Sequence, residues 1–454
     1  MDHARQDTGN GAREPRSSAA GTASLADLLQ RARSGTGHIQ NVASFAVARI
    51  AAVALYLAPV PLFIAKQGEA AYGSLNLLLV CFSYLNVFDL GIGYAVNQRF
   101  ARALARGNTR REEIIQRAWP VFLGFSLATT AAIFLCARPI ALFLTGNVAH
   151  VPALRLLSVA VGFLMTSALL TAVLQAYNRI DWINYSRLVI DVMRAAGLCA
   201  GAFAVNGVAI AVAFTVAGSI IKAFIDLGLA TRVLGGRAAL RPRFRIRDLV
   251  INLRLGFPMV ASVLLGMLMT SADRVVVARQ LGQQALAHYS VAADLCSRPY
   301  FLVWAVSGSV YTLYVRRRAV GRSAEDLVRV SLLSVCVVAL LIYLPLALFA
   351  QQIIGLWIDP AFAQASAGTT RIWAAAGVAY LLMSIYYNHL QAFRRPLALA
   401  LNSSIGAAIL LAGLFTLPRA FGIEGAATSV LLGFSTQAFL LWLLSRRLSA
   451  QTIG

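Results

Sequence analysis

The sequence predicts an all-α integral membrane protein with about twelve transmembrane helices in two six-helix bundles, related by a pseudo-two-fold axis along the membrane normal. Composition, a succession of apolar segments and a match between the two halves of the chain support this fold class. Of the 454 residues, 59% are hydrophobic and 13% are charged. Soluble domains contain roughly 45–50% apolar and about 25% charged residues, so a membrane protein is indicated.

The chain begins with residues 1–38, which are rich in Gly, Ala, Ser and Arg and contain no apolar run. A cleavable signal peptide places its apolar core within roughly the first 15–30 residues, so we expect no such signal here. This composition instead predicts a disordered, basic cytoplasmic tail.

Twelve apolar segments follow, and their lengths suit helices that cross about 30 Å of hydrocarbon. They span residues 41–66, 72–97, 114–137, 152–177, 184–204, 207–230, 254–279, 285–315, 327–350, 370–393, 396–417 and 423–445. The segments divide the chain into an N-terminal six-helix bundle (39–231), a basic cytoplasmic linker (232–253), a C-terminal six-helix bundle (254–447) and a cytoplasmic tail (448–454).

The net charge of +22 comes from Lys and Arg in short clusters between the apolar segments. Because the sequence has no continuous basic face and no nucleic-acid-binding motif, we expect no nucleic-acid partner. Cytoplasmic loops are the ones enriched in Lys and Arg, and most of these residues fall on one side of the predicted membrane. The sequence therefore predicts a multi-pass protein of the cell inner membrane, in contact with membrane lipids, with cytoplasmic N- and C-termini. The few basic residues on the outer side are Lys66, Arg138, Arg155, Arg279, Arg371 and Arg419.

The sequence lacks the features of a metalloprotein or a membrane enzyme. Its five cysteines lie inside apolar segments at wide spacings, which indicates neither a metal site nor a disulfide framework. The longest outer connections, around 138–151 and 351–369, are too short to fold as a domain, and they offer few catalytic candidates beyond His150 and Asp359. We therefore predict a transporter that needs no cofactor.

The two halves of the sequence match at a nearly constant offset. Three short matches occur in the same order in both halves, which predicts a duplicated six-helix unit suited to alternating access. The matches are Ala65-Lys66-Gln67 and Tyr72 with Ala278-Arg279-Gln280 and Tyr289, Ile140-Ala141-Leu142 with Ile353-Ile354-Gly355, and Asn206-Gly207-Val208 with Phe421-Gly422-Ile423.

Charged residues inside the predicted spans are candidates for function, because a charge at the bilayer centre costs roughly 2.5–3.5 kcal/mol. Three spans place opposite charges about one turn apart on one helix face, which predicts a common hydrated interior. Structural ion pairs, or side chains that extend to the membrane surface, are the alternative. The groups are Asp191 with Arg187 and Arg194 in the fifth span, Lys222 with Asp226 in the sixth, and Asp294 with Arg298 in the eighth.

Two further groups lie deep in predicted spans. Arg49 and Asp89 each lie about 12 Å from the cytoplasmic ends of the first and second spans, at a level where they could pair. Asp273 and Arg274 lie toward the outer end of the seventh span.

Short motifs across residues 40–446 resemble the polysaccharide-biosynthesis flippases of the multidrug/oligosaccharidyl-lipid/polysaccharide exporter superfamily. They are rich in glycine and degenerate, and they are informative only as a set. In the first half they are Tyr72-Gly73, Asp89-Leu90-Gly91-Ile92-Gly93 and Arg106-Gly107-Asn108. In the second half they are Ser271-Ala272-Asp273-Arg274, Leu281-Gly282, Tyr289-Ser290-Val291-Ala292 and Gly422-Ile423-Glu424-Gly425-Ala426-Ala427.

The resemblance implies a flippase that moves undecaprenyl-pyrophosphate-linked oligosaccharide across the inner membrane by alternating access, for O-antigen, capsule or exopolysaccharide export. It also implies that a proton or sodium gradient could drive this movement. A polymerase and other glycan-assembly proteins would be its partners. The family's cationic cavity maps by position onto Arg49, Arg194, Lys222 and Arg298. Asp89, Asp191, Asp226, Asp273 and Asp294 remain as coupling-ion sites or charge partners. Asp294 is a departure, because relatives often carry a neutral or basic residue at that position.

Other functions stay open. Within the same superfamily, the chain could be a cation-coupled multidrug antiporter, which an acidic cavity would favour, or a peptidoglycan-precursor flippase. From other classes, a membrane glycosyltransferase or polymerase, or a non-transporting scaffold of a glycan-assembly complex, is the alternative.

Overall fold

The computed structural model describes residues 51, 53–85, 96–97, 99–100, 103, 111–177, 179–236, 241–243, 246–300, 325–392 and 396–451. Every regular element in these ranges is a helix. This agrees with the all-α class that the composition predicts.

The first half is helical through most of its described ranges. Residues 53–57 are helical and lead into Pro59. The helices that follow are α1 (Val60–Gln67), α2 (Glu69–Leu85), α3 (Arg111–Leu135), α4 (Ala137–Thr145), α5 (Val151–Ala176), α6 (Ile180–Ala202) and α7 (Gly207–Leu234).

The second half is built around two long helices, each broken at one glycine. They are α8 (Ile246–Ser297), interrupted at Gly282, and α13 (Pro396–Gln451), interrupted at Gly422. Between them lie α9 (Glu325–Val338), a π-helical segment (Ala339–Tyr343), α10 (Leu344–Leu348), α11 (Ala350–Trp357) and α12 (Pro360–Ala392).

Each of the twelve predicted segments is helical in at least part of its length. The outer connections predicted at 138–151 and 351–369 differ from the expectation, because they contain α4 and α11 and the first turns of α12. Helices of eight or nine residues are too short to cross a membrane. A prediction based on the length of apolar segments therefore does not identify them. The arrangement of twelve spans in two bundles stays a prediction.

Five stretches of the described chain are helical, long and apolar enough to cross a membrane, namely residues 112–135, 148–176, 207–234, 328–348 and 397–447. The last has 51 residues, and Gly422 near its middle leaves length for two crossings of roughly 20 residues each. Large apolar side chains on these helices point outward, as with Leu127 (70% exposed) and Leu341 (68% exposed). Such a surface suits lipid tails, and the protein is a multi-pass membrane protein.

The two halves bend the chain in the same way at corresponding positions. Gly68, between α1 and α2, has φ 85° and ψ 162°, and Gly282 has φ 90° and ψ 176°. Only glycine adopts this region readily. The short helices α4 and α11 also occupy corresponding places, each between two longer helical stretches. These parallels agree with the sequence repeat.

Helix α2 of the first half packs against α8 of the second, and α8 also contacts α12 and α13. The approach of α2 to α8 is close, because a Cβ atom at Gly73 would overlap the backbone carbonyl of Gln283. Side chains of α2 and α8 therefore face one another where the halves meet.

Candidate functional site

A buried carboxylate, Asp294, lies at the centre of the charged groups where the halves meet. It is 3% exposed. Its Oδ1 accepts a hydrogen bond from Arg274 Nη2 at 2.6 Å and lies 3.7 Å from Arg298 Nη2. Its Oδ2 accepts a hydrogen bond from the Tyr56 hydroxyl at 2.9 Å. One carboxylate thus binds two guanidinium groups and a phenol.

The bend at Gly282 creates this arrangement. Arg274 and Asp294 are 20 residues apart, which would separate them by about 30 Å along a straight helix. Their contact requires the chain to reverse direction at Gly282, so the two arms of α8 lie side by side. The i, i+4 spacing then adds Arg298, one turn after Asp294.

Residues of the first half complete the group. The guanidinium carbon of Arg298 lies 3.8 Å from the centre of the Tyr56 ring, which is cation–π geometry. Arg274 Nη1 donates to Asn76 Oδ1 of α2 at 3.3 Å. We call Tyr56, Asn76, Arg274, Asp294 and Arg298 the central cluster. The two arginines of this cluster belong to the second half. Each also contacts a residue of the first half, Arg274 with Asn76 and Arg298 with Tyr56.

A narrow pocket adjoins the central cluster on the side of the first half. Tyr56 and Asn76 form part of its wall, and Arg194 of α6 reaches it from the other side, with its guanidinium carbon 5.9 Å from the centre of the Phe82 ring. The pocket has room for about one water molecule. A larger ligand would require the walls to move apart. The other lining residues are Tyr72, Leu75, Leu79, Leu198, Ala211 and Thr215.

Arg194, Arg274 and Arg298 share one further property. The Nε–H group of each is buried and has no hydrogen-bond acceptor among the described residues. A guanidinium carries five N–H donors and no acceptor, so these groups can be satisfied only by an acceptor such as an oxygen atom. The three arginines thus retain unused donors for an anion.

Lys222 belongs to a separate group within the first half. Its Nζ donates to Ser167 Oγ of α5 at 2.7 Å and is in contact with Asp226 Oδ2, which also accepts from Ser167. Asp226 is fully buried. This triad connects α5 with α7, and none of the contacts described for Lys222 reaches the central cluster.

The remaining predicted acidic residues lie in different surroundings. Asp273 is 1% exposed, and its Oδ2 accepts from the Tyr289 hydroxyl at 2.5 Å, while its Oδ1 has no donor among the described residues. Asp191 is half-buried on α6, three residues before Arg194. Arg49 and Asp89 lie outside the described residues.

Polar contacts also close one end of the α2–α8 junction. Glu69 Oε2, at the start of α2, accepts from Gln284 Nε2 at 2.8 Å and lies 3.1 Å from His288 Nε2. His288 Nδ1 lies 3.2 Å from Ser366 Oγ of α12. These side chains hold the first turn of α2 against α8 and α12.

The sequence predicts one contact of the central cluster, while the role of its residues stays a prediction. Asp294 and Arg298 were expected on one helix face, and the structure pairs them. Arg274 was noted as a buried charge but was not assigned to anion binding, and Tyr56 and Asn76 were missed. A tyrosine in an apolar segment carries no signal that distinguishes it from an ordinary core residue, so only the packing of the two halves identifies Tyr56.

The sequence matches the family described as "Polysaccharide biosynthesis protein" over residues 68–366. This match confirms the resemblance indicated by the short motifs. No curated protein is significantly similar to the chain in sequence.

Several solved structures have a similar fold. The inward-facing conformation of a multidrug resistance MATE family transporter of the MOP superfamily has a TM-score of 0.73 and 11% identity, over 90% of this chain and 98% of the other. The inward closed conformation of the lipid II flippase MurJ has a TM-score of 0.72 and 14% identity, over 88% and 87%. An outward-facing MATE transporter has a TM-score of 0.61 and 13% identity, over 91% and 96%.

These neighbours are transporters and a flippase. They share the fold of this chain over nearly its whole length. This chain therefore has the fold of the MATE and MurJ structures.

Proposed function

Because the chain belongs to the polysaccharide biosynthesis protein family, we propose that it is a flippase that moves undecaprenyl-pyrophosphate-linked oligosaccharide between the leaflets of the cell inner membrane. The observation that supports this cargo is the convergence of Arg274 and Arg298 on Asp294, beside a pocket that Arg194 also lines. In this proposal the three arginines bind the pyrophosphate, and Arg49, outside the described residues, is a fourth candidate. Lys222 is not assigned to the cargo, because its contacts are with Asp226 and Ser167.

The chemistry of the arginines suits a pyrophosphate. The group carries at least two negative charges, and guanidinium forms bidentate, charge-assisted hydrogen bonds with phosphate oxygens. Such bonds gain strength in a site that is partly shielded from water. The lipid tail would remain in the bilayer beside the protein, while the arginines hold the head group between the halves.

Transport would proceed by alternating access. The contacts of Glu69, Gln284 and His288 close one end of the α2–α8 junction, and the fold is more similar to inward-facing than to outward-facing relatives. We infer that this closed end faces the periplasm and that both termini are cytoplasmic, as the distribution of Lys and Arg indicates.

A proton or sodium gradient would drive the cycle. Asp273 is a candidate to take up the coupling ion, because it is buried and, among the described residues, one of its oxygens has no donor and it lacks the lysine partner that Asp226 has. Asp89 is a second candidate. The glycan would be an O-antigen, capsule or exopolysaccharide unit, and a polymerase and other assembly proteins would receive it.

A second candidate is the movement of a peptidoglycan precursor, which the fold of the lipid II flippase favours. The positive charge of the central cluster argues against a cationic drug as cargo, although the fold is also that of a multidrug transporter.

Proteoliposomes with purified protein test the proposal. Labelled undecaprenyl-pyrophosphate oligosaccharide, lipid II and a cationic dye would be compared under proton and sodium gradients. We expect the oligosaccharide to cross faster than in protein-free liposomes. Selective movement of lipid II would support the second candidate, and dye movement alone would refute an anionic cargo.

A further inference from the structure

We propose that Asp294 is an internal counter-anion: it occupies Arg274, Arg298 and Tyr56 when no cargo is bound, and the pyrophosphate of the cargo takes its place. The inference rests on the proposed function and assigns a role to the one acidic residue of the central cluster.

The contacts of Asp294 are those that a phosphate oxygen pair would make. Oδ1 receives the guanidinium of Arg274 and lies close to that of Arg298, and Oδ2 receives the Tyr56 hydroxyl. These donors come from three separate places, namely the first arm of α8, the turn that follows its second arm, and residues 53–57. An anion that binds the same donors must compete with Asp294 for them.

The small volume of the adjoining pocket also indicates that the cargo must displace Asp294. The adjoining pocket has room for about one water molecule. A pyrophosphate that binds Arg274 from this pocket therefore requires Tyr56 or Asp294 to move. Since both belong to the same hydrogen bond, displacement of Asp294 also frees Tyr56.

The charge balance gives Asp294 a function in release. The buried guanidinium of Arg274 and the partly buried one of Arg298 would be unfavourable without an anion, because a buried charge that loses its partner carries its desolvation cost. When the cargo leaves, Asp294 again becomes the anionic partner of Arg274 and Arg298. It therefore weakens cargo binding and accelerates release, as a competing ligand within the protein would.

The exchange also affects how the halves are connected. Tyr56 lies in the first half, and it binds Asp294 through its hydroxyl and Arg298 through its ring. Cargo that displaces Asp294 breaks one of these contacts, which loosens the first half from the second. Cargo binding would in this way be linked to the movement of the halves.

The test measures the binding of farnesyl pyrophosphate to the purified full-length protein, with farnesol as the uncharged control. We expect Asp294→Asn to bind farnesyl pyrophosphate about tenfold more tightly than wild type, because a neutral amide competes less well than a carboxylate. Its cargo turnover in proteoliposomes should fall, since release becomes slower. Asp294→Glu, which keeps the charge, should remain close to wild type. Asp226→Asn, which removes a buried carboxylate elsewhere, should leave the affinity unchanged.

If Asp294→Asn is unstable when isolated, the measurement is thermal unfolding with and without the ligand. Farnesyl pyrophosphate should raise the unfolding temperature of Asp294→Asn more than that of wild type, because the ligand supplies the missing anion. Absence of this difference would overturn the inference.

The binding measurements distinguish a failure of the role proposed for Asp294 from a failure of the pyrophosphate assignment. If Asp294→Asn binds no more tightly than wild type, while Arg274→Ala and Arg298→Ala abolish binding, then Asp294 is a structural partner and the proposed cargo survives. If neither wild type nor Asp294→Asn binds farnesyl pyrophosphate, the inference and the pyrophosphate assignment both fail.

Discussion

Tyr56 and Asp294 are 238 residues apart in sequence and share a hydrogen bond of 2.9 Å that joins the first half of the protein to the second. Both residues are buried. The bond connects a phenol in the first apolar segment with the carboxylate that holds two arginines. The relative position of the halves and the charge state of the cluster are therefore connected.

Removal of this bond is the first prediction. Tyr56→Phe leaves Asp294 Oδ2 without its donor, and an unsatisfied buried acceptor costs about 1–3 kcal/mol. We expect a lower unfolding temperature and a transport rate reduced by up to about tenfold, equivalent to about 1.4 kcal/mol in the barrier. Tyr185→Phe, at an exposed position on α6, is the matched control. Equal behaviour of the two variants would contradict the prediction.

The second prediction concerns the two arginines bound to Asp294. Arg274 is the closer and more buried, with a 13% exposed side chain against 34% for Arg298. Arg274→Ala leaves a buried carboxylate with a weaker partner, and breaking such a pair costs about 3–5 kcal/mol. We expect Arg274→Ala to lower thermal stability more than Arg298→Ala, and both to abolish glycan translocation. Arg187→Ala, on the exposed face of α6, is the control and should retain transport. A greater loss of thermal stability in Arg298→Ala than in Arg274→Ala would contradict the described geometry.

The third prediction separates Lys222 from the cargo site. Lys222→Met alone leaves Asp226 buried without its cation, so we expect a loss of stability of about 3–5 kcal/mol. Lys222→Met combined with Asp226→Leu should recover most of it, because apolar residues can replace a buried ion pair. Transport by the double variant should stay within about twofold of wild type. A folded double variant without transport would mean that Lys222 binds the cargo directly, as its position in the sequence suggests.

The fourth prediction tests the close approach of α2 and α8. Gly73→Ala adds a Cβ atom that overlaps the Gln283 carbonyl, which pushes the helices apart. With Glu69→Cys and Gln284→Cys in a cysteine-free background, we expect a short bis-maleimide to cross-link the junction less efficiently when Gly73→Ala is present. Gly124→Ala, where the added Cβ meets no atom within 4 Å, should have no effect. Unchanged cross-linking in both variants would disprove the tight junction.

The helices were predictable from the sequence because the thickness of a bilayer fixes their length. The turn pairs Lys222–Asp226 and Asp294–Arg298 were predictable because an i, i+4 spacing brings two side chains together whatever surrounds the helix. The pairing of Arg274 with Asp294 depends on a reversal at Gly282, and that of Tyr56 with Asp294 depends on how the two halves pack. Neither pairing produces a pattern in the nearby sequence. For the same reason, the sequence alone could not assign Arg194 and Lys222 to different groups.

The reversal at Gly282 has a consequence for biogenesis. Arg274 and Asp294 lie in consecutive helical arms joined by that single residue, so they can meet while both enter the bilayer. Each would cost roughly 2.5–3.5 kcal/mol if it entered as an isolated charge, whereas a hairpin that enters as a unit presents a nearly neutral pair. We therefore expect the ion pair to lower the cost of inserting these two arms into the bilayer.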